Sequence, residues 1–334
     1  MVLANRHILL LSLLLAVLSS CQLVDEKTTD CVQALDVDYE MKLTTNITTQ
    51  IQTQLSLVTE VAVATSLENH LKSVFTNRAD DVNLSFYDVF GDSVRLYHKL
   101  DVMDATQTSY SLNIPIRRYM HLGLANLAES GTVKLENDET CHGSRLQQQL
   151  GDTIPTQRKG IFSARAPMEM KEGEDQEFNV NLYMANCAAT LVLDTLGSGV
   201  RDVRVFATGF ATAFDVADSV YRYQYTPVIR ADKVEVKDPA NPQLCYVTVN
   251  FPSRTPQTKA PGDPTYWDFR VYASLSDGSV TETKLSITHP LYPGQLDVLK
   301  AVVYGNGALE PEDVSVVVNV SLNWKPGMEH EVEM

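Results

Sequence analysis

The chain has 334 residues, 44% apolar and 21% charged, with a formal net charge of −15. That balance is ordinary for a folded protein, and so acidic a surface repels nucleic acid and anionic headgroups, which excludes both as electrostatic partners. About 310 residues beyond a leader exceed one comfortable core, so two domains are expected.

Residues 1–20 read as a signal peptide: Arg6 gives a positive start, and the apolar run 8–18 is too short to span a bilayer. The run closes on Leu18-Ser19-Ser20-Cys21, the pattern of a bacterial lipobox. Ser20 and Cys21 would flank the signal-peptidase cut, and Cys21 would be acylated as the first mature residue. Loss of Arg6 moves the charge from −15 to −16, so acyl chains, not electrostatics, must hold the protein at a membrane. Two or three chains on one cysteine do so firmly. Residues 21–30 (CQLVDEKTTD) form an acidic tether, and Asp25-Glu26 is similar to the surface-export signal of some Gram-negative anaerobes.

Strand patterns begin at once. Leu35, Val37, Tyr39, Met41 and Leu43 alternate with polar residues at period two, which predicts a first strand. Leu67, Leu71, Val74 and Phe75 fall at helical spacing and predict one helix over 65–75. Strands are expected at 83–90 and 93–100 around Gly91-Asp92, and at 110–116 and 119–127, where Pro115 suits an edge. Residues 138–159 read as loop-rich. A strand pair over 178–184 and 188–194 follows, then strands at 200–207 and 245–251. Strands 266–274 and 279–287 are joined by Asp277-Gly278, and 295–304 comes next. The last pattern is the sharpest: Val314, Val316, Val318, Val320, Leu322 and Trp324 alternate with Ser, Asn and one Val. It fits either the closing strand of its own sheet or a strand given to a neighbour's groove. Many short strands with one minor helix predict an all-β protein, two antiparallel β-sandwich domains in tandem over 31–184 and 185–334.

Cys31, Cys141, Cys187 and Cys245 remain after lipidation. They allow two disulfides in three pairings, of which Cys31–Cys141 and Cys187–Cys245 stay within one domain each; four buried free thiols are the alternative. Their spacing fits no zinc module. The sequence holds no GxSxG elbow, no phosphate or dinucleotide loop and no HExxH. The carboxylate pairs lie on polar strand faces or in loops. No catalytic residue, cofactor, metal or small-molecule substrate is therefore expected.

Several stretches together resemble a known family: the lipobox, Asp30-Cys31 before LDVDYEMKL, then FYDVF, FNVNLYMANCAATLVLD, VRDVRVFATGFATAFDV, PGQLDVLKAVVYGNG and VSVVVNVSLNW. They are similar to the fimbrial anchor lipoproteins of the FimB type, the basal subunits of type V pili. Met184 departs from the family, where a basic residue is expected at the domain junction, and TTNITTQIQTQ is unusual for it. The resemblance implies two transthyretin-like sandwiches, no enzymatic activity, an outer-membrane lipid anchor and a fimbrial stalk subunit as partner. It also implies that stalk subunits lose their first strand to an arginine-directed cut and take a neighbour's terminal strand, whereas an anchor keeps its own. Here the first arginine after Arg6 is Arg78, well beyond Leu43, so no such cut releases 35–43 alone. A surface glycan-binding lipoprotein is the alternative; it needs an exposed aromatic platform, and only Trp267 and Trp324 are on offer.

Overall fold

The computed structural model describes residues 33–324 apart from 57, 59, 77, 91–92, 103–107, 174–175, 195–196, 226, 237–242 and 313–314, and excludes the side chains of 102 and 322–324. Ser20, Cys21, Cys31, Val314 and the Gly91-Asp92 turn lie outside the described residues.

The first half runs β1 (Ala34–Thr44), α1 (Ile47–Leu55), α2 (Val61–Val74), β2 (Asp81–Asp88), β3 (Arg95–Val102), β4 (Ser109–Pro115), β5 (Arg118–Ala125), β6 (Val133–Glu136), β7 (Arg145–Gln148), β8 (Thr153–Pro155), β9 (Phe162–Glu169) and β10 (Glu177–Met184). The second runs β11 (Cys187–Asp194), β12 (Val200–Thr208), β13 (Ala213–Asp215), β14 (Val220–Arg222), β15 (Val228–Arg230), β16 (Asp232–Val234), β17 (Leu244–Asn250), β18 (Trp267–Leu275), β19 (Val280–Ile287), β20 (Leu296–Val303), β21 (Leu309–Pro311) and β22 (Val316–Trp324). The protein is all-β and sandwich-like, as the strand patterns predict.

Both halves use one topology. In the first, the opening strand β1 pairs parallel with β10 and antiparallel with β4, while β2 pairs with β3 and β5, and β5 with β9. In the second, the opening strand β11 pairs parallel with β20 and antiparallel with β17, while β12 pairs with β15 and β18, and β18 with β19. The seven-stranded sheet of the first half has the order β3-β2-β5-β9-β10-β1-β4, but β9 and β10 meet only at Ser163–Tyr183 and Phe162–Met184. The sheet folds over at that corner, so β1 faces β5 and β3 faces β4 across a core. Tyr39 reaches His121, and the Lys99 ammonium lies 4.7 Å from the Tyr110 ring centre.

Four findings go beyond the sequence reading. Residues 178–184 and 188–194 are strands, but β10 and β11 belong to different sheets. The Thr/Gln-rich stretch is a second helix, α1, because Ile47, Ile51 and Leu55 repeat every four residues and are all buried. The two halves also share a core. Even-numbered residues of β11 and β20 (Ala188, Val192, Leu296) share one core with α1, α2 and the first sheet, while odd-numbered ones (Leu191, Leu193, Leu299, Ala301) share another with β12, β18 and β19. Burial on both faces is why CAATLVLD lacks alternation. Ladders β7–β13 and β8–β15 also cross the expected boundary at 184/185.

The fourth finding concerns the thiols. Cys141, Cys187 and Cys245 are free and buried. Cys187 stands opposite Asn250 and Cys245 opposite Val192, five positions along the same ladder and on opposite faces of the sheet. At about 3.3 Å per residue that separation is roughly 17 Å, against the ~7 Å limit for a bridge. A Cys187–Cys245 disulfide is therefore ruled out. Burial pushes the Cys245 thiol up to about 12 and that of Cys187 higher still, so both are inert.

Candidate functional site

The first strand is held on both edges. Asp38–Thr44 pair with Glu177–Tyr183 on one side, and Ala34–Glu40 with Ser109–Pro115 on the other. Val37, Tyr39 and Met41 are buried, Leu35 and Leu43 pack at the margin of the same core, and Asp36, Asp38, Glu40 and Lys42 face solvent. Removing this strand would open a groove between β4 and β10.

Tyr39 adds a fastening that strand pairing does not give. His121 on β5 is fully buried, stacked on Phe86 at 4.4 Å between ring centres. Its Nδ1 lies 3.0 Å from the Ser85 carbonyl oxygen, which can only accept, so Nδ1 donates and Nε2 accepts from the Tyr39 hydroxyl at 2.9 Å. Burial lowers the His121 pKa to about 4, and it likewise pushes the Tyr39 phenol upward, so both are neutral. Gly123 leaves the space for them, since a Cβ there would sit 3.2 Å from Nε2. Nothing in the scattered histidines of the sequence marks His121 out; only the fold brings β1 over β5.

The closing strand β22 folds within its own sheet, antiparallel to β19, from Val316 opposite Ile287 to Trp324 opposite Val280, with a register shift near Glu282. It is the edge of a six-stranded sheet, β22-β19-β18-β12-β15-β8. Val316 is buried and Val318 packs against the core, but the apolar row leaves the core at Val320, which is 41% exposed. Val317, on the other face, is 47% exposed. Natural edge strands are guarded by charge, proline or brevity. The nine residues VVVNVSLNW carry neither charge nor proline, and the outer edge of β22 pairs with no strand among the described residues. Among those residues, no three His, Cys, Asp or Glu side chains gather to hold a metal ion. Trp267 is 1% exposed against Phe210 and Phe269, so it offers no platform for a sugar ring.

No family model matches the chain, and no curated protein matches its sequence. Solved structures do match its fold. A candidate adhesin from Bacteroides ovatus is 12% identical, with 89% of this chain and 97% of that one covered and a TM-score of 0.52. A candidate polysaccharide-binding protein from Bacteroides thetaiotaomicron is 11% identical over 84% of this chain and 98% of its own, TM-score 0.50. The fimbrial anchor protein Mfa2 from Porphyromonas gingivalis is 8% identical over 87% and 100%, TM-score 0.45. At such identities the first two share with this chain its fold, an all-β architecture running through nearly its whole length.

Proposed function

We propose that the chain is a lipid-anchored structural subunit that tethers and ends a cell-surface fimbria, without enzymatic activity. Its acyl chains on Cys21 would hold it in the outer membrane, and its partner would be a fimbrial stalk subunit. The observation that carries this reading is the pair of strand states: β1 fills its own groove, while β22 offers an uncharged outer edge. A filled groove accepts no incoming strand, and an open edge can pair with one, so fibre growth has one direction. The lipobox, the acidic tether and a fold shared with a candidate adhesin support it. Cells producing the chain without residues 314–334 should shed fimbriae into the medium; fibres retained as on unaltered cells would refute the role of β22.

A further inference from the structure

The chain enters its first sandwich at one end, and that end carries an exposed apolar tip. The Gln33 carbonyl accepts from the Ile116 N–H at 2.8 Å, so β1 begins beside the β4–β5 turn. Around that turn, Phe90, Ile116, Arg117, Arg118 and Met170 line an open cleft of about 380 Å³ with Asp88 and Glu169. Phe90 is 64% exposed, and Val89 beside it is exposed as well. The segment is fastened from below: the Phe90 N–H donates to Asp88 Oδ1 at 2.9 Å, and the Met170 N–H to the Arg117 carbonyl at 2.9 Å.

The four charged residues that line the cleft pair off. Arg117 pairs with Asp88 at 3.1 Å and Arg118 with Glu169 at 2.7 Å, in a protein whose net charge is −15. An acidic surface is repelled from anionic headgroups; a balanced end with an aromatic and two long arginine stems is not, and such side chains suit the zone between headgroups and acyl chains. Gln33 lies twelve residue steps after Cys21. A flexible chain of that length would span about 19 Å on average, and about 40 Å fully extended. Among the described residues no helix is long and apolar enough to cross a membrane.

We propose that the Val89-Phe90 tip, with Ile116, Arg117 and Arg118, docks on the lipid leaflet that holds the Cys21 acyl chains. The inference rests on the anchoring proposed above. The docked tip fixes the first sandwich upright on the membrane, so the tether acts as a short stay and not as a free leash.

The acylated full chain, bound to phosphatidylethanolamine vesicles containing brominated lipid, tests this with Phe90→Trp as reporter and Val61→Trp, at a site 78% exposed, as control. Each emission is read as the difference from the unsubstituted protein. Phe90→Trp should shift to the blue and lose at least half its emission to bromine quenching, while Val61→Trp stays unquenched. An unquenched Phe90→Trp on protein that still floats with the vesicles would overturn the docking and leave the anchor standing. A Phe90→Trp response to soluble glycans but not to brominated lipid would also overturn it, assigning the cleft to sugar. Failure of the anchor itself would show separately, as protein carrying no acyl group at Cys21.

Discussion

His121 and Tyr39 show how much one buried pair can govern. The imidazole is neutral because burial depresses its pKa from the ordinary 6.5 to about 4, and its unprotonated Nε2 is what the Tyr39 hydroxyl needs. In the unfolded chain the ring would take a proton at about 6.5, so between these values the unfolded state binds more protons. Stability is therefore full above about pH 6.5 and is lost as pH falls toward 4, by roughly 3 kcal/mol. His70 and His98, also lowered by desolvation, act in the same direction. Urea unfolding across this range should show the slope, and His121→Phe should flatten it; an unchanged slope in that variant would assign the effect elsewhere. Tyr39→Phe leaves Nε2 buried without a donor and should cost about 1–3 kcal/mol at pH 7. None of this was legible in the sequence, which places the two residues 82 positions apart; what it did show, Tyr39 on the inward row of a strand, is where the structure puts it.

Individual elements were legible where one face meets solvent. The alternation of Leu35 to Leu43 reads correctly because β1 has a wet side, and the Asp277-Gly278 turn reads correctly because Gly278 takes a positive φ of 85° between β18 and β19. Legibility failed in two ways. CAATLVLD shows no period because both faces are dry, so its pairing partner cannot be read from it. Helix α1 was missed because polar Thr and Gln dominate its composition, although Ile47, Ile51 and Leu55 were spaced for it. The β22 edge gives a prediction at this scale. Val317 and Val320 are exposed, so Val317→Lys and Val320→Lys together should leave circular dichroism and melting temperature within the usual small range for surface changes. They should nevertheless abolish retention of fimbriae on cells, since a charged edge resists pairing. Normal retention with both lysines in place would mean that the partner docks elsewhere.

The molecule as a whole is stitched across the midpoint at which the sequence suggested a division. Asp215 on β13 accepts from Arg145 of β7 at 2.6 Å and from Arg222 of β14 at 2.5 Å, with its carboxylate almost fully buried. Burial alone would raise that acid, but the two guanidinium hydrogen bonds outweigh it and hold it below the usual carboxylate range. Asn186, also buried, donates to Gln157 and the Lys159 carbonyl and accepts from the Ile161 N–H, while Gln157 donates its own N–H to the Val249 carbonyl. With a core shared through α1 and α2, these contacts make one cooperative unit. A single calorimetric transition is expected, and Asp215→Ala, which removes the buried acceptor shared by Arg145 and Arg222, should lower stability by about 2 kcal/mol, since both arginines keep access to solvent. Two resolved transitions in the unaltered protein would contradict this coupling. Such a body suits the proposed role of passing tension from fibre to membrane, and that proposal depends on the amino end. Mass spectrometry of the protein recovered from native membranes is the most direct check: the account predicts an acylated Cys21 followed by an intact 34–44 strand. A free thiol at position 21, or a chain beginning after residue 43, would contradict it.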